Sequence, residues 1–250
     1  MQNALDIIFR DEHLVAINKP SGLLVHRSAV DKHETRFAMQ MLRDQIGQHV
    51  FPIHRLDKPT SGVLVFALSP SVATLMGSIF TEHQLQKTYI AIVRGVAPEY
   101  KLLDYPLVEE LDKYTDKNAR NPEAKTAITE FFRLADVELP LQIDKYPNSR
   151  YSLVKCVPQT GRKHQIRRHL KHLSHPIIGD AKHGKGNHNR FFQQEFNAHR
   201  LLLAATELRF KHPITNADTT LTAPLDDVMG QLIHQFGWYN ALPQHWLAPR

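Results

Sequence analysis

The sequence contains a single cysteine, Cys156, among 250 residues, which excludes an internal disulfide. A chain without disulfides suits a reducing compartment, so we predict a cytoplasmic protein. Residues 1–6 include no basic stretch and no long apolar one, which argues against a secretory signal. No apolar run approaches the roughly 20 residues that a membrane-spanning helix needs, so we expect no membrane partner.

Acidic residues are absent between positions 159 and 180. The segment is rich in cations instead, in a chain whose formal net charge is +6. Ile166, Leu170 and Leu173 predict the apolar face of a helix that follows a break at residues 160–161. A solvated helix face usually mixes both signs of charge, whereas cations alone repel one another unless an anion covers them. Phosphate is the obvious anion, so the segment favours a nucleic-acid partner.

A second segment presents one carboxylate in a turn before a predicted buried strand. Residues 54–62 read His-Arg-Leu-Asp-Lys-Pro-Thr-Ser-Gly, and the apolar run Val63–Ala67 follows them. A turn on a rigid strand end holds a reactive group in a fixed position. The carboxylate is Asp57, although the local sequence equally suits an aspartate that only caps its own turn.

Together these segments resemble the family of pseudouridine synthases named after ribosomal large-subunit pseudouridine synthase A. Five motifs occur in the family's order, within a region from about Leu5 to about Pro213. They are Lys19–Gly22 with His26, His54–Gly62, Lys87–Val93, Gly161–Arg167 and His175–Asp180. The resemblance implies a mixed sheet with a central active-site cleft, and the isomerisation of uridine to pseudouridine in RNA.

This reaction breaks the bond between N1 and C1′, turns the detached uracil and joins C5 to C1′. It involves no redox change and no net hydrolysis, so we expect neither a cofactor nor a metal. A carboxylate must act beside C1′, and Asp57 is the predicted one, either as nucleophile or as base toward the sugar. The resemblance implies that Arg167 forms a salt bridge that keeps this carboxylate ionised. We expect Tyr89 to stack beneath the base, where it could relay the C5 proton.

A uracil inside a duplex is inaccessible, so the nucleotide must flip out at a cost of about a few kcal/mol. Arg55 has a planar guanidinium that can stack on bases, and the resemblance implies that it fills the gap. The predicted RNA-binding residues are His54, Arg55, Arg162, Lys163, His164, Arg168 and Lys171. The turn around Asp57 and the cationic segment are therefore expected to act together on the RNA.

Three stretches outside the general signature indicate the substrate. They are Asp44–Phe51, Tyr105–Lys113 and Lys182–Gly184, and they are similar to a branch of the family that modifies transfer RNA. The resemblance implies the uridine at tRNA position 65, in the T stem, as the target. A compact tRNA suits recognition by shape and by phosphate positions. A uridine of large-subunit ribosomal RNA is the alternative, and no obligate protein partner is implied.

Two other functions fit parts of the sequence. Sixteen histidines, several of them between positions 164 and 188, invite the hypothesis of a metal-dependent nuclease. Asp180 is the only carboxylate near the cationic helix, however, and the basic neighbours would repel a divalent cation. A non-catalytic RNA-binding module could keep the cationic segment and lose the site, but Asp57, Tyr89 and Arg167 are all present.

Strands and helices alternate irregularly, which predicts an α+β fold with a mixed, mainly antiparallel sheet and flanking helices. We predict one catalytic domain, residues 1–250, without an appended S4-type RNA-binding domain. Residues 109–125 are expected to form an exposed insertion, and residues 237–250 an irregular tail. The predicted strands are 6–9, 14–18, 63–67, 89–93, 128–132 and 151–157. One helix is predicted to end at Gly47, a second to begin at Pro70 with Ser69 as its N-cap, and a last one to begin at Pro224.

Overall fold

The computed structural model describes residues 4–27, 33–109 and 123–247. Its strands are β1 (Asp6–Arg10), β2 (Leu14–Lys19), β3 (Phe51–Pro52), β4 (Ser61–Ala67), β5 (Leu85–Arg94), β6 (Tyr100–Asp104), β7 (Leu107–Val108), β8 (Ala124–Lys125), β9 (Ile128–Leu139), β10 (Ser149–Pro158), β11 (Leu203–Lys211) and β12 (Asp218–Thr222). Its α-helices are α1 (Ala38–Ile46), α2 (Pro70–Thr81), α3 (Gln165–His172), α4 (Gly186–Phe196) and α5 (Asp227–Gln235). Two short 3₁₀ turns, Tyr239–Ala241 and Gln244–Trp246, follow the last helix.

Ten of these strands form one sheet, in the order β1-β2-β4-β11-β5-β10-β9-β6, with β12 beside β11 and β3 beside β4. Its neighbours are antiparallel except for β4 and β11, which run parallel. The remaining strands, β7 and β8, pair as a separate hairpin. The prediction of an α+β fold with a mainly antiparallel sheet is confirmed.

Strand β4 lies in the interior of the sheet, and all seven of its residues are buried. Its run of Val, Leu and Phe suits a strand that is covered on both faces. Directly after it, Ser69 caps α2 by accepting a hydrogen bond from the Val72 amide, and Pro70 takes the first helical position, as predicted. The turn that carries Asp57 is therefore anchored on a buried strand.

The two faces of the sheet carry different layers. On one face, Ile90, Ile92 and Leu153 pack against α4, α5 and a C-terminal segment that includes the buried Trp238 and Trp246. This layer leaves the opposite face of the same strands for another helix.

On that opposite face, Ala91, Val154 and Cys156 pack against Ile166 and Leu170 of α3. The apolar stripe predicted for the cationic segment is thus the stripe that places α3 on the sheet. The cations of α3 lie on its remaining faces, on the side of the sheet that also carries the turn before β4.

Some predicted boundaries differ in the structure. The last helix begins at Asp227 rather than at Pro224, because the Asp226 side chain accepts a hydrogen bond from the Met229 amide and caps the helix there. Most of the predicted insertion, residues 110–122, lies outside the described residues, as do the last three residues of the predicted tail. Among the helices that the structure describes, none is long and apolar enough to cross a membrane.

Candidate active site

Asp57 lies in a turn that a second loop supports. The Thr60 amide donates to the Asp57 carbonyl at 3.0 Å and closes the turn. The loop after β2 contacts it twice: the Gly22 amide donates to the Lys58 carbonyl at 2.9 Å, and the Ser21 hydroxyl donates to the Pro59 carbonyl at 2.7 Å. The first sequence motif, residues 19–22, therefore braces the turn that presents the carboxylate.

Lys19 is fully buried beneath these two loops. Its Nζ lies 2.9 Å from the Pro20 carbonyl, 2.8 Å from that of Leu23 and 3.1 Å from that of Lys58, so one amine joins both loops. Burial, together with the charge of Arg200, lowers the pKa of Lys19 to about 7, while the charge of Asp57 opposes the shift. The hydrogen bond to the Lys58 carbonyl, one residue after Asp57, places Lys19 in the immediate surroundings of the site.

Ser61 and Gly62 attach the Asp57 turn to the centre of the sheet. In the parallel pair of β4 and β11, Ser61 lies opposite Ala204 and Gly62 opposite Ala205. Arg200 donates from Nη2 to the Ser61 hydroxyl at 3.0 Å, and its own burial lowers its pKa to about 10. Ser61 and Gly62 thus pair with the start of β11, which lies more than 140 positions further along the chain.

Arg167 projects from α3 to the Asp57 turn. Its Nη1 donates to Asp57 Oδ2 at 3.0 Å, and the side chains of Arg167 and Asp57 are 6% and 21% exposed. Burial by itself lowers the pKa of Arg167, but the hydrogen bonds and charges of Asp180 and Asp57 outweigh it and raise the pKa. The guanidinium is therefore a constant positive charge beside the one carboxylate that the site presents at its surface.

Tyr89 lies on β5, on the same face of the sheet as α3. Its neighbours across the strands are Cys156 on one side and Ala205 on the other. Burial raises the pKa of the Tyr89 hydroxyl far above its ordinary value, and the negative charge of Asp57 adds to the rise. The phenol is therefore neutral at every ordinary pH, and it can pass a proton only by giving and receiving one through its hydroxyl.

His54 is engaged with the protein itself. Its Nε2 accepts a hydrogen bond from the Val65 amide at 3.1 Å, and its ring stacks on Phe80 with 4.8 Å between ring centroids. Burial lowers the pKa of His54 to about 3, and the charge of Lys87 contributes to the shift. His54 is therefore a neutral side chain that packs against α2 and stabilises β4. The RNA contact predicted for His54 stays a prediction.

Arg55, in contrast, is exposed at the outer side of the same turn. Within the part of the chain that the structure describes, its guanidinium makes no hydrogen bond or ion pair with protein groups. Lys163 and Lys171 are likewise exposed, one before α3 and one in its last turn. The structure therefore brings exposed cations from both predicted motifs to one side of the sheet.

Two further cations hold the β7–β8 region. Arg162 donates from Nε to the Thr126 carbonyl at 3.0 Å, and Arg168 donates from Nη1 to the Val108 carbonyl at 2.8 Å. Together with Gly161 and the neighbouring strands they line a cavity of about 130 Å³. Arg162 and Arg168 thus join α3 to the hairpin beside it, besides their predicted contacts with RNA.

His164 belongs to the surroundings of Asp57. Its backbone is left-handed, with φ of 56°, and this turns the imidazole inward, where Nε2 lies 3.8 Å from Asp57 Oδ2. Its Nδ1 lies 3.1 Å from Nε2 of His183. Helix α3 begins only at Gln165, because the Gln165 side chain accepts a hydrogen bond from the Arg162 amide and holds residues 162–164 in a turn. These distances to Asp57 and His183 make His164 part of the candidate site.

Several residues around the site lack a predicted role, namely Lys19, Lys87, Asp180, His183 and Arg200, although all but Arg200 lie in stretches that the sequence analysis singles out. Lys87 lies two residues before Tyr89 on the same face of β5, its Nζ donates to the Thr160 carbonyl at 3.1 Å, and burial lowers its pKa to about 8. The sequence does point to Asp180, because it is the first acidic residue after the cationic segment that contains no Asp or Glu. Among the described residues, no group of three or more His, Cys, Asp or Glu side chains is arranged to hold a metal ion.

The RNA pseudouridylate synthase family matches residues 13–172, and the chain belongs to that family. Curated relatives that match along nearly the whole chain are named tRNA pseudouridine synthase C. The protein of Vibrio cholerae is 56% identical over 95% of this chain and 98% of its own. That of Yersinia pestis is 52% identical over 96% and 93% of the two chains, and that of Haemophilus ducreyi 54% identical over 94% and 97%.

Solved structures show the same fold. Human RNA Pseudouridylate Synthase Domain Containing 4 superimposes with a TM-score of 0.69 at 27% identity, over 93% of each chain. Human RNA Pseudouridylate Synthase Domain Containing 1 superimposes with a TM-score of 0.67 at 22% identity, over 93% of this chain and 94% of its own. The arrangement of a large, mainly antiparallel sheet with five flanking helices among the described residues is therefore that of this family.

Proposed function

We propose that this protein converts a uridine of transfer RNA to pseudouridine. The observation that carries the proposal is the ion pair between Asp57 and Arg167, which joins two motifs 110 positions apart at 3.0 Å. It places a partly exposed carboxylate beside a buried cation, on the face of the sheet where Tyr89 lies. The names of the relatives from Vibrio, Yersinia and Haemophilus support tRNA as the substrate.

The chemistry follows from this arrangement. Asp57 acts at the ribose of the target nucleotide while the bond between N1 and C1′ breaks. It is either a nucleophile, whose bond to C1′ breaks again when C5 attacks, or a base, which takes a sugar proton and later returns it. The uracil turns, C5 bonds to C1′, and the proton lost from C5 is balanced by the proton gained at N1. Tyr89, a neutral phenol, contacts the uracil face and relays that proton. The reaction is balanced without any added oxidant, reductant or water.

Access to the uridine requires that it leave its helix. Arg55 is exposed beside Asp57 and has the planar group that can replace a flipped base in the stack. Lys163, Arg168 and Lys171 extend the positive charge along α3, where they contact phosphates on either side of the target. We assign the target to position 65 in the T stem, from the similarity of Asp44–Phe51 and Lys182–Gly184 to the tRNA-modifying branch. A tRNA-modifying role places the protein in the cytoplasm.

The test is direct mapping of the product. Purified protein is incubated with unmodified tRNA and, separately, with fragments of large-subunit ribosomal RNA, and pseudouridine is located nucleotide by nucleotide. We expect modification of tRNA at position 65, and none with Asp57→Asn. Modification of the ribosomal fragments alone would contradict the substrate but keep the reaction, whereas binding without modification of either RNA would contradict the enzymatic function.

A further inference from the structure

Asp180 is a second carboxylate in direct contact with Arg167, and its side chain is fully buried. Its Oδ2 accepts from Arg167 Nε at 2.7 Å, and its Oδ1 accepts from Arg167 Nη2 at 2.9 Å. The same Oδ1 also accepts from the backbone amides of Lys182 and His183, each at 2.9 Å. Four hydrogen bonds therefore hold the Asp180 carboxylate in one position.

The pair with Asp180 fixes the orientation of the Arg167 guanidinium. Asp180 occupies the edge of Arg167 that carries Nε and Nη2, and a bidentate pair fixes the plane of both groups. Nη1 takes no part in this pair, and it donates to Asp57. The direction from which Arg167 meets Asp57 is therefore set by Asp180.

A second connection runs from Asp180 through the loop that follows it. Because Asp180 holds the His183 amide, it fixes the backbone from which the His183 ring meets His164 at 3.1 Å. His164 in turn lies 3.8 Å from Asp57 Oδ2. The loop has little freedom, since the Gly184 amide donates back to the Asp180 carbonyl at 3.0 Å and a Cβ at Gly184 would lie 2.2 Å from that oxygen.

Both connections end on the same oxygen atom of Asp57. Within the described parts of the chain, Oδ2 accepts a hydrogen bond from Arg167 and lies 3.8 Å from His164, whereas Oδ1 accepts no hydrogen bond from a protein group. One carboxylate oxygen is thus held by the protein, while the other remains for the ribose. If Asp180 were lost, the free edge of Arg167 could turn and bind both oxygens of Asp57 at once.

We infer that Asp180 is a positioning residue, which aligns Arg167 and the His183–His164 pair on one oxygen of Asp57 and keeps the other oxygen available to the substrate. This inference rests on the proposed function only for its effect on turnover, because the alignment itself exists in the free protein. It assigns a role to Asp180 and His183, both of which are buried.

Turnover is the first measurement. Asp180→Asn keeps the shape of the side chain but removes its charge and one acceptor. We expect kcat on unmodified tRNA to fall on the order of 100-fold, because a reactive group is misaligned, while KM stays within about threefold. In protein that already carries Arg167→Lys, the same change should cost less than about threefold, since Asp180 acts through Arg167.

Asp144→Asn is the matched control. Asp144 is also an aspartate that binds an arginine, with 3.0 Å to Arg94 Nη2, but it lies outside the contacts around Asp57. We expect its kcat to stay within about twofold of wild type. A fall in kcat that appears equally in both variants, or that follows the loss of thermal stability, would mean that Asp180 has a structural role only.

The alignment is also measured without RNA. In ¹⁵N-labelled protein the Arg167 Nε–H should exchange slowly with solvent, and Asp180→Asn should speed this exchange on the order of tenfold or more. Equal exchange rates in the two proteins would overturn the inference, whether or not the wild type modifies tRNA. A wild type that modifies no tRNA would instead contradict the proposed function. If Asp180→Asn does not fold, His183→Ala decides: a roughly tenfold lower kcat at unchanged KM supports the inference, and wild-type turnover overturns it.

Discussion

Gly62 and Ala205 lie side by side where β4 and β11 run parallel, with no room for a side chain between them. Gly62 has φ of +109°, and a Cβ built on it would lie 2.0 Å from the Ala205 carbonyl oxygen. Only glycine satisfies both the backbone angle and the close approach. This contact joins the turn that carries Asp57 to the centre of the sheet.

We therefore expect Gly62→Ala to destabilise the protein by about 3 kcal/mol or more, because the opposing group is backbone and cannot move aside. The control is Gly77→Ala in α2, where a Cβ meets nothing within 4 Å and helix propensity predicts a gain of about 0.5–1 kcal/mol. Denaturant unfolding of the three proteins measures both changes. Equal stability of the two variants would contradict the assigned role of Gly62.

Asp57→Asn should abolish isomerisation while folding and RNA binding remain. The amide keeps the shape of the side chain but cannot act as a nucleophile or base at the sugar. Turnover and tRNA affinity are measured on the same preparation, and thermal unfolding reports the fold. Turnover within tenfold of wild type would remove Asp57 from its proposed role.

Arg167→Ala should lower turnover far more than it lowers RNA affinity, since the guanidinium is bound by Asp57 and Asp180 and is only 6% exposed. Lys171→Ala is the contrasting variant. Lys171 is an exposed cation on α3 and should affect binding. Its loss should reduce, by about one, the slope of the logarithm of the RNA-binding constant against the logarithm of the salt concentration. If Arg167→Ala instead weakens binding and leaves turnover at saturating RNA intact, Arg167 is an ordinary phosphate contact.

Lys19 should make stability depend on pH. Its pKa is lowered to about 7 by burial, whereas the unfolded chain keeps an ordinary lysine near 10.4. Between these values the unfolded state binds more protons, so the stability contributed by this group rises with pH, by at most about 1.4 kcal/mol per unit. It is greatest above pH 10.4 or so and falls as the pH decreases toward 7.

The measurement is the difference in unfolding free energy between wild type and Lys19→Met at pH 7 and pH 9. This difference should grow in favour of the wild type as the pH rises. Lys211→Met, at an exposed lysine, is the control for the loss of a surface amine. A difference for Lys19 that stays flat with pH would mean that its amine is not desolvated in the folded protein.

Local sequence was enough to predict the elements that carry the site. The continuous apolar run after Gly62 predicted β4, and the capping residue Ser69 with Pro70 predicted the start of α2. The turn that presents Asp57 could be predicted because Pro, Ser and Gly favour turns by their own backbone preferences. These features depend on neighbours a few residues away, which the sequence displays directly.

Boundaries that depend on distant partners were missed. Helix α3 was expected soon after Gly161, but Gln165 is bound to Thr160 and to the Ile128 carbonyl, and these contacts keep residues 162–164 out of the helix. The start of α5 was placed too early because the cap is Asp226, a residue that also pairs with Arg200. Helix α4 was not predicted at all.

The sequence by itself determined which residues bear chemistry: a carboxylate in a turn, a tyrosine in a strand and a run of cations free of acid. Only the tertiary structure decided how they meet. Arg167 reaches Asp57 because α3 lies on the β5–β10 face of the sheet, and Asp180, which ends the last of the five motifs, directs it from the loop after α3. The physical reason is that backbone preferences act over a few residues, whereas the register of a sheet brings together groups a hundred positions apart.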